Sequence, residues 1–116
     1  MNTKLPQKGE FYYHFKHNPQ LDILNYAYLI VGVALHSENA EKLVAYLPLY
    51  SPNHVWDYKC DFNVRPLEMF IGLVEKSDIN YSGPRFNWIT NKSIISQLKQ
   101  TQIYKNYITS IPCKSI

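Results

Sequence analysis

Residues 26–36 (YAYLIVGVALH) and residues 42–49 (KLVAYLPL), separated only by the polar stretch SENAE, constrain the fold of this chain more than any other feature. Each run has the length of one strand and is rich in the Val, Ile, Leu and Tyr side chains that suit a pleated surface. Two such runs around a short polar turn read as an antiparallel hairpin. The centre of the first run is apolar at consecutive positions, so it is expected to be buried on both faces. Gly32 inside it marks a bulge or sharp bend, the device by which a small sheet curls.

The flanking sequence adds strands at short intervals. Residues 11–16 (FYYHFK) are an aromatic run, and residues 17–25 read as a loop. Residues 62–65 and 71–76 read as short strands on either side of a helical turn that begins at Pro66, since proline is tolerated in a first turn. Residues 78–84 read as a turn and residues 85–89 (RFNWI) as a last strand. Pro48, which cannot donate to a ladder, places the end of the third run at an edge or exit. These elements specify one strongly bent, mostly β antiparallel barrel of five or six strands. With 116 residues, 46% of them hydrophobic, the chain has material for one such core.

The composition changes after residue 89. Neither proline nor glycine interrupts the chain between Thr90 and Pro112, and Asn91 is placed to cap a helix. Ile94, Ile95 and Leu98 share one helical face, whereas Ile103, Tyr104, Tyr107, Ile108 and Ile111 fall nearly opposite, so one straight helix cannot bury both stripes. The reading is a break near Thr101, or one stripe buried in a second copy of the chain as a homodimer through residues 91–111. The chain therefore divides into a barrel domain, 1–89, and a C-terminal helical extension, 90–116, packed on the barrel.

The net charge of +3 is unevenly placed, because Arg85, Lys92, Lys99, Lys105 and Lys114 follow residue 78 with no acid among them. Five spread cations make a weak field beside a clustered nucleic-acid interface. Cys60 and Cys113 lack the CxxC spacing of a metal or redox site and read as free thiols, although a bridge between them stays open. No HxH or HxxxH spacing supports a metal, and no cofactor motif is present. Residues 1–10 are polar, and no run approaches the roughly 18 apolar residues of a membrane span, so a cytoplasmic protein without a membrane partner is expected.

The segments HFK, YLIVGVALHSENAEKLVAYLPLY, VRPLEMF and GPRF, in that order, resemble the bacterial domain-of-unknown-function family 1653 over about residues 12–86. The resemblance implies an SH3-like small barrel with a short helical turn before its closing strand, and it implies no reaction. The matched positions are Tyr12, His14 and Lys16; Gly32, Ala34, His36, Ser37 and Glu38; Tyr46 and Tyr50; Arg65, Pro66, Met69 and Phe70; and Pro84, Arg85 and Phe86. The sequence departs from the pattern at Leu35, where an arginine is usual, and at Asn63, where a tryptophan is usual.

Three groups of residues carry chemistry. His36, Ser37 and Glu38 hold a base, a hydroxyl and a carboxylate, but adjacent strand residues point to opposite faces, so turn hydrogen bonding explains them better than catalysis. His14, His36 and Glu38 are the weak catalytic or metal candidates, and they require convergence across strands. Arg65, held extended by Pro66, suits either a carboxylate partner such as Glu38 or Glu68 or an anionic ligand. One of Met69 and Phe70 is expected to plug the barrel. Tyr46, Tyr50, Trp56 and Tyr58 exceed what so small a core absorbs, so an exposed aromatic shelf is expected. The leading expectation is a non-enzymatic module that binds a peptide or small molecule through Tyr46, Tyr50, Trp56, Arg65, Phe70 and Lys16. The alternatives are a nucleic-acid module using the basic C-terminal segment and a small hydrolase or lyase using His14, His36 and Glu38.

Overall fold

The structure is a computed structural model and describes residues 4–50 and 62–110. Trp56, Tyr58, Cys60 and Cys113 lie outside the described residues. In chain order the strands are β1 (Phe11–His14), β2 (Ala27–Leu35), β3 (Lys42–Pro48), β4 (Asn63–Pro66), β5 (Leu73–Lys76), β6 (Tyr81–Pro84) and β7 (Phe86–Trp88). The helices are α1 (Leu67–Phe70), α2 (Lys92–Leu98) and α3 (Gln102–Ser110). Five strands form one antiparallel sheet in the order β4-β3-β2-β1-β7, and β5 pairs with β6 as a separate ribbon.

The hairpin that dominates the sequence is the centre of this sheet. Ile30 lies opposite Tyr46 and Gly32 opposite Ala45, so Val31 is the extra residue of a bulge in β2. That bulge reverses the parity of β2, and with it the face on which each later side chain falls. Before it, alternation sorts the apolar residues cleanly between two cores. On one face lie Phe11, Ala27, Leu29, Leu47 and Leu49, and on the other lie Tyr12, Tyr28, Ile30, Val44 and Tyr46. β2 is thus buried on both faces over its first four residues, Ala27–Ile30, whereas its centre at Val31 and Gly32 is only partly buried and Val33, Ala34 and Leu35 beyond the bulge are exposed.

The two cores have different covers. The second is roofed by Phe70 from α1 and by Phe86, which stack with ring centroids 4.1 Å apart. The first is roofed by the C-terminal helices, whose Leu98 and Ile103 are as buried as the strand residues beneath them. Asn91 Oδ1 accepts the Ile94 amide at 3.0 Å and caps α2. Thr101 Oγ1 donates to the Leu98 carbonyl at 2.8 Å and accepts the Tyr104 amide, which ends one helix and starts the next. This break turns Ile94, Ile95 and Leu98 and then Ile103, Tyr104 and Tyr107 onto the same sheet face. The helices pack on the sheet, and Phe11, Leu29, Leu47 and Leu49 form one core with them.

Two further expectations change. Residues 78–84 are not wholly a turn: after a 3₁₀ turn at Ser77–Ile79, Asn80 takes a left-handed conformation (φ 56°) and β6 follows. Its Ser-Gly-Pro composition hides a strand that exists only by pairing with β5. The barrel is also not closed by hydrogen bonds among the described residues, because β4 and β7 are the two edges of the sheet. β4 is only four residues long, ends at Pro66, and then turns into α1. The sheet is nevertheless curled. Laid flat, strands at the usual spacing would put β4 and β7 roughly 19 Å apart. The Arg65 guanidinium of β4 instead lies 5.5 Å from the Phe86 ring of β7. No helix among the described residues is long and apolar enough to cross a membrane.

Candidate ligand-binding face

The curl gathers aromatic rings from three strands and α1 around Phe86 of β7. Its ring touches Tyr28, Tyr46 and Phe70, and it meets His14 edge-on at 5.1 Å. The strand residues among these, His14, Tyr28 and Tyr46, fall on the same face because each occupies an alternate position of its strand, and Phe70 joins them from α1. His14 is the polar centre of the group, stacked at 5.5 Å on Tyr26, which in turn contacts Tyr50 at 5.7 Å.

Tyr26 is held there by its backbone, which has φ 59°, a left-handed conformation uncommon outside Gly, Asn and Asp. Its carbonyl accepts the His14 amide at 3.0 Å, which fixes the two residues across the strand ends. Tyr28 and Tyr50 share a hydrogen bond between hydroxyls at 2.7 Å, and burial pushes both phenols above their usual range. The Tyr12 hydroxyl is buried with no hydrogen-bond partner, and burial followed by the Glu10 charge raises it to about 12.

The rim is basic. Arg65 donates from Nε to the Tyr46 hydroxyl at 3.3 Å and from a terminal nitrogen to Met69 Sδ at 3.4 Å. Neither Glu38 nor Glu68 pairs with it. Arg85 has its Nε buried without a partner. Among the described residues the one ion pair is Lys4–Glu10, so Arg65, Arg85 and Lys16 have no carboxylate of their own. Their charges reach His14: burial first, and then Arg65, Lys16 and Arg85, depress its imidazole to about 4. The ring is accordingly neutral at physiological pH. Nδ1 accepts the Lys16 amide at 3.1 Å, which leaves the proton on Nε2.

The sequence candidates are distributed unequally over this geometry. Arg65, Tyr46, Tyr50, Phe70 and His14 come together, and Lys16 is exposed beside His14. Tyr46 and Phe70 are only 5% and 1% exposed, so they form the floor of the face and not an open shelf. Burial of these two follows from the curl, which places Phe86 over them. Trp56 lies outside the described residues. His36 and Glu38 stay apart from His14. His36 is at the far end of β2, ten residues beyond Tyr26 and on the order of 30 Å along the strand. There its Nδ1 accepts the Glu38 amide at 3.1 Å, the turn role of a hairpin end. No group of three His, Cys, Asp or Glu side chains suited to a metal gathers among the described residues. The lysines of α2 and α3 ride on helices that cover the opposite face from the aromatic rings.

Sequence reasoning missed Tyr26, Tyr28 and Phe86 as members of the face. The signal for the first two was their spacing with Ile30 at alternate positions, which puts all three on one side of β2. Phe86 carried no such signal, because its place beside β1 depends on a non-local pairing.

The chain matches no curated protein. It is similar to the crystal structure of a protein of the DUF1653 family from Bordetella bronchiseptica, with 24% identity and a TM-score of 0.52 over 72% of this chain and 87% of that one. At that identity the likeness concerns the fold. A sequence model for proteins of unknown function, DUF1653, matches residues 10–88, more than half of the chain, and the chain belongs to that family.

Proposed function

We propose that this chain is a non-enzymatic ligand-binding domain whose binding surface is the aromatic face around His14, taking a small molecule or a short peptide. The observation that carries this reading is the pair of buried polar atoms left without partners beside that face, the Tyr12 hydroxyl and Arg85 Nε. Buried polar groups are ordinarily hydrogen-bonded, and an unpaired one calls for an explanation such as a missing ligand or water. An apolar surface with a few convergent polar groups is also the usual character of a small-ligand site. The left-handed backbone of Tyr26 adds support, since such strain clusters at ligand clamps. The curl that brings Arg65 to Phe86 supports an SH3-like barrel whose wall is completed by side chains instead of ladder hydrogen bonds.

The hydrolase or lyase reading has less support, because His14 is distant from His36 and Glu38. The nucleic-acid reading also has less, because Lys92, Lys99 and Lys105 lie across the sheet from the rings. The test is a fragment screen read by amide chemical shifts. Hits are expected to perturb His14, Tyr26, Tyr50 and Arg65 together, and hits that concentrate on any other surface overturn the assignment.

A further inference from the structure

We infer that this face takes a ligand in which an anion, phosphate or carboxylate, is attached to a planar ring, with the anion held by Arg65 and Arg85 and the ring laid against Tyr26 and His14. The inference rests on the binding face proposed above and gives its chemistry.

The charge is the first part of the argument. Arg65, Arg85 and Lys16 all act on the His14 ring, and no carboxylate among the described residues pairs with any of them. Arg65 spends one donor on the weakly accepting Met69 sulfur and one on a phenol, both neutral groups. A guanidinium presents several donors in a planar fork that matches a carboxylate or phosphate, so these two arginines keep donors for an anion. Arg85 makes no side-chain hydrogen bond among the described residues, and its buried Nε already bears the cost of desolvation. Among the described acids, Glu68 is exposed on α1 and Glu10 is paired to Lys4.

The ring is the second part. Tyr26 is half-buried, its phenol has no partner among the described residues, and its strained backbone holds it stacked on His14. His14 meets Phe15 at 4.5 Å, and Phe15 is stacked on Tyr81 at 5.2 Å. The rings therefore continue from the core to the rim, a surface on which a planar group packs by offset stacking. His14 contributes its Nε2 proton, which has no partner among the described residues, so it donates to the ligand as a neutral group.

The test is a titration of the full chain with phenyl phosphate, benzoate, inorganic phosphate and phenol, read by the ring signals of His14 and Tyr26. Phenyl phosphate or benzoate should bind about tenfold more tightly than phenol or inorganic phosphate, the scale of one added charged hydrogen bond. Whichever of the two binds more tightly identifies the anion. Arg65→Gln and Arg85→Gln should each cost about tenfold in affinity by the same measure, with the thermal midpoint reporting that each variant folds. The unaltered chain gives a second readout, because affinity for phenyl phosphate should fall as potassium chloride is added while that for phenol should not. Phenol binding as tightly as phenyl phosphate overturns the anion and leaves the binding face intact. Inorganic phosphate binding as tightly as phenyl phosphate overturns the ring. If none of the four perturbs these signals at millimolar concentration, the inference fails, and the fragment screen separately decides whether the face binds anything.

Discussion

His14 joins the residue-scale physics of this protein, since one imidazole is packed among three rings while three cations act on it. Both effects oppose protonation, and together they bring it from the ordinary 6.5 down to about 4. The sign of the stability effect follows from proton counting. Between pH 6.5 and about 4 the unfolded chain binds a proton at this position that the folded chain does not. Folding stability must therefore fall as pH falls through that window, and the contribution is complete above it. Urea midpoints measured from pH 7 to pH 4 should show this decline, and His14→Gln should flatten it. A histidine titration near 6.5 by proton resonance would remove the premise. His14 stood out in the sequence by its resemblance to the family pattern, but its depressed basicity did not. Arg65 and Arg85 are remote from it in sequence, and only the curl of the sheet brings their charge within reach.

At the scale of elements, the local signals translated into structure where the cause was itself local. Pro66 precedes α1 with its ring-fixed backbone, and Asn91 caps α2 and Thr101 separates α2 from α3 by hydrogen bonds within a few residues. β6 had no such signal, because Tyr81-Ser82-Gly83-Pro84 is turn composition made into a strand by its partner. The helices differ sharply in what their residues do. Leu98 is fully buried against the sheet, whereas Ile108 is about half exposed on α3. Leu98→Ala should cost about 2–5 kcal/mol, the range for truncating a buried leucine. Ile108→Ala should stay within about 0.5 kcal/mol, as at ordinary surface positions. Chemical denaturation of both variants measures the difference, and equal losses would mean that the helical segment is not seated as described.

Across the whole molecule, one five-stranded sheet separates two cores, and each core needs its own cover. Ending the chain after Ile89 removes the cover of the first and leaves Phe11, Leu29, Leu47 and Leu49 facing water. Such a chain should lose cooperative urea unfolding and bind a hydrophobic dye, whereas a sigmoidal transition like that of the full chain would show the helices to be dispensable. The amino-acid sequence by itself determined the hairpin with an irregularity near Gly32, the helical turn after Pro66, and a C-terminal helical segment that one straight helix on the sheet could not satisfy. Each of these depends on residue periodicity, capping or backbone freedom within one short segment. Only the tertiary structure decided that β7 lies beside β1, that Tyr46 and Phe70 are buried beneath Phe86, and that His14 lies within reach of the Arg65 charge and away from His36. Those outcomes depend on how far the sheet curls and on which edges approach, and they are set by packing between segments distant in sequence, which periodicity does not encode.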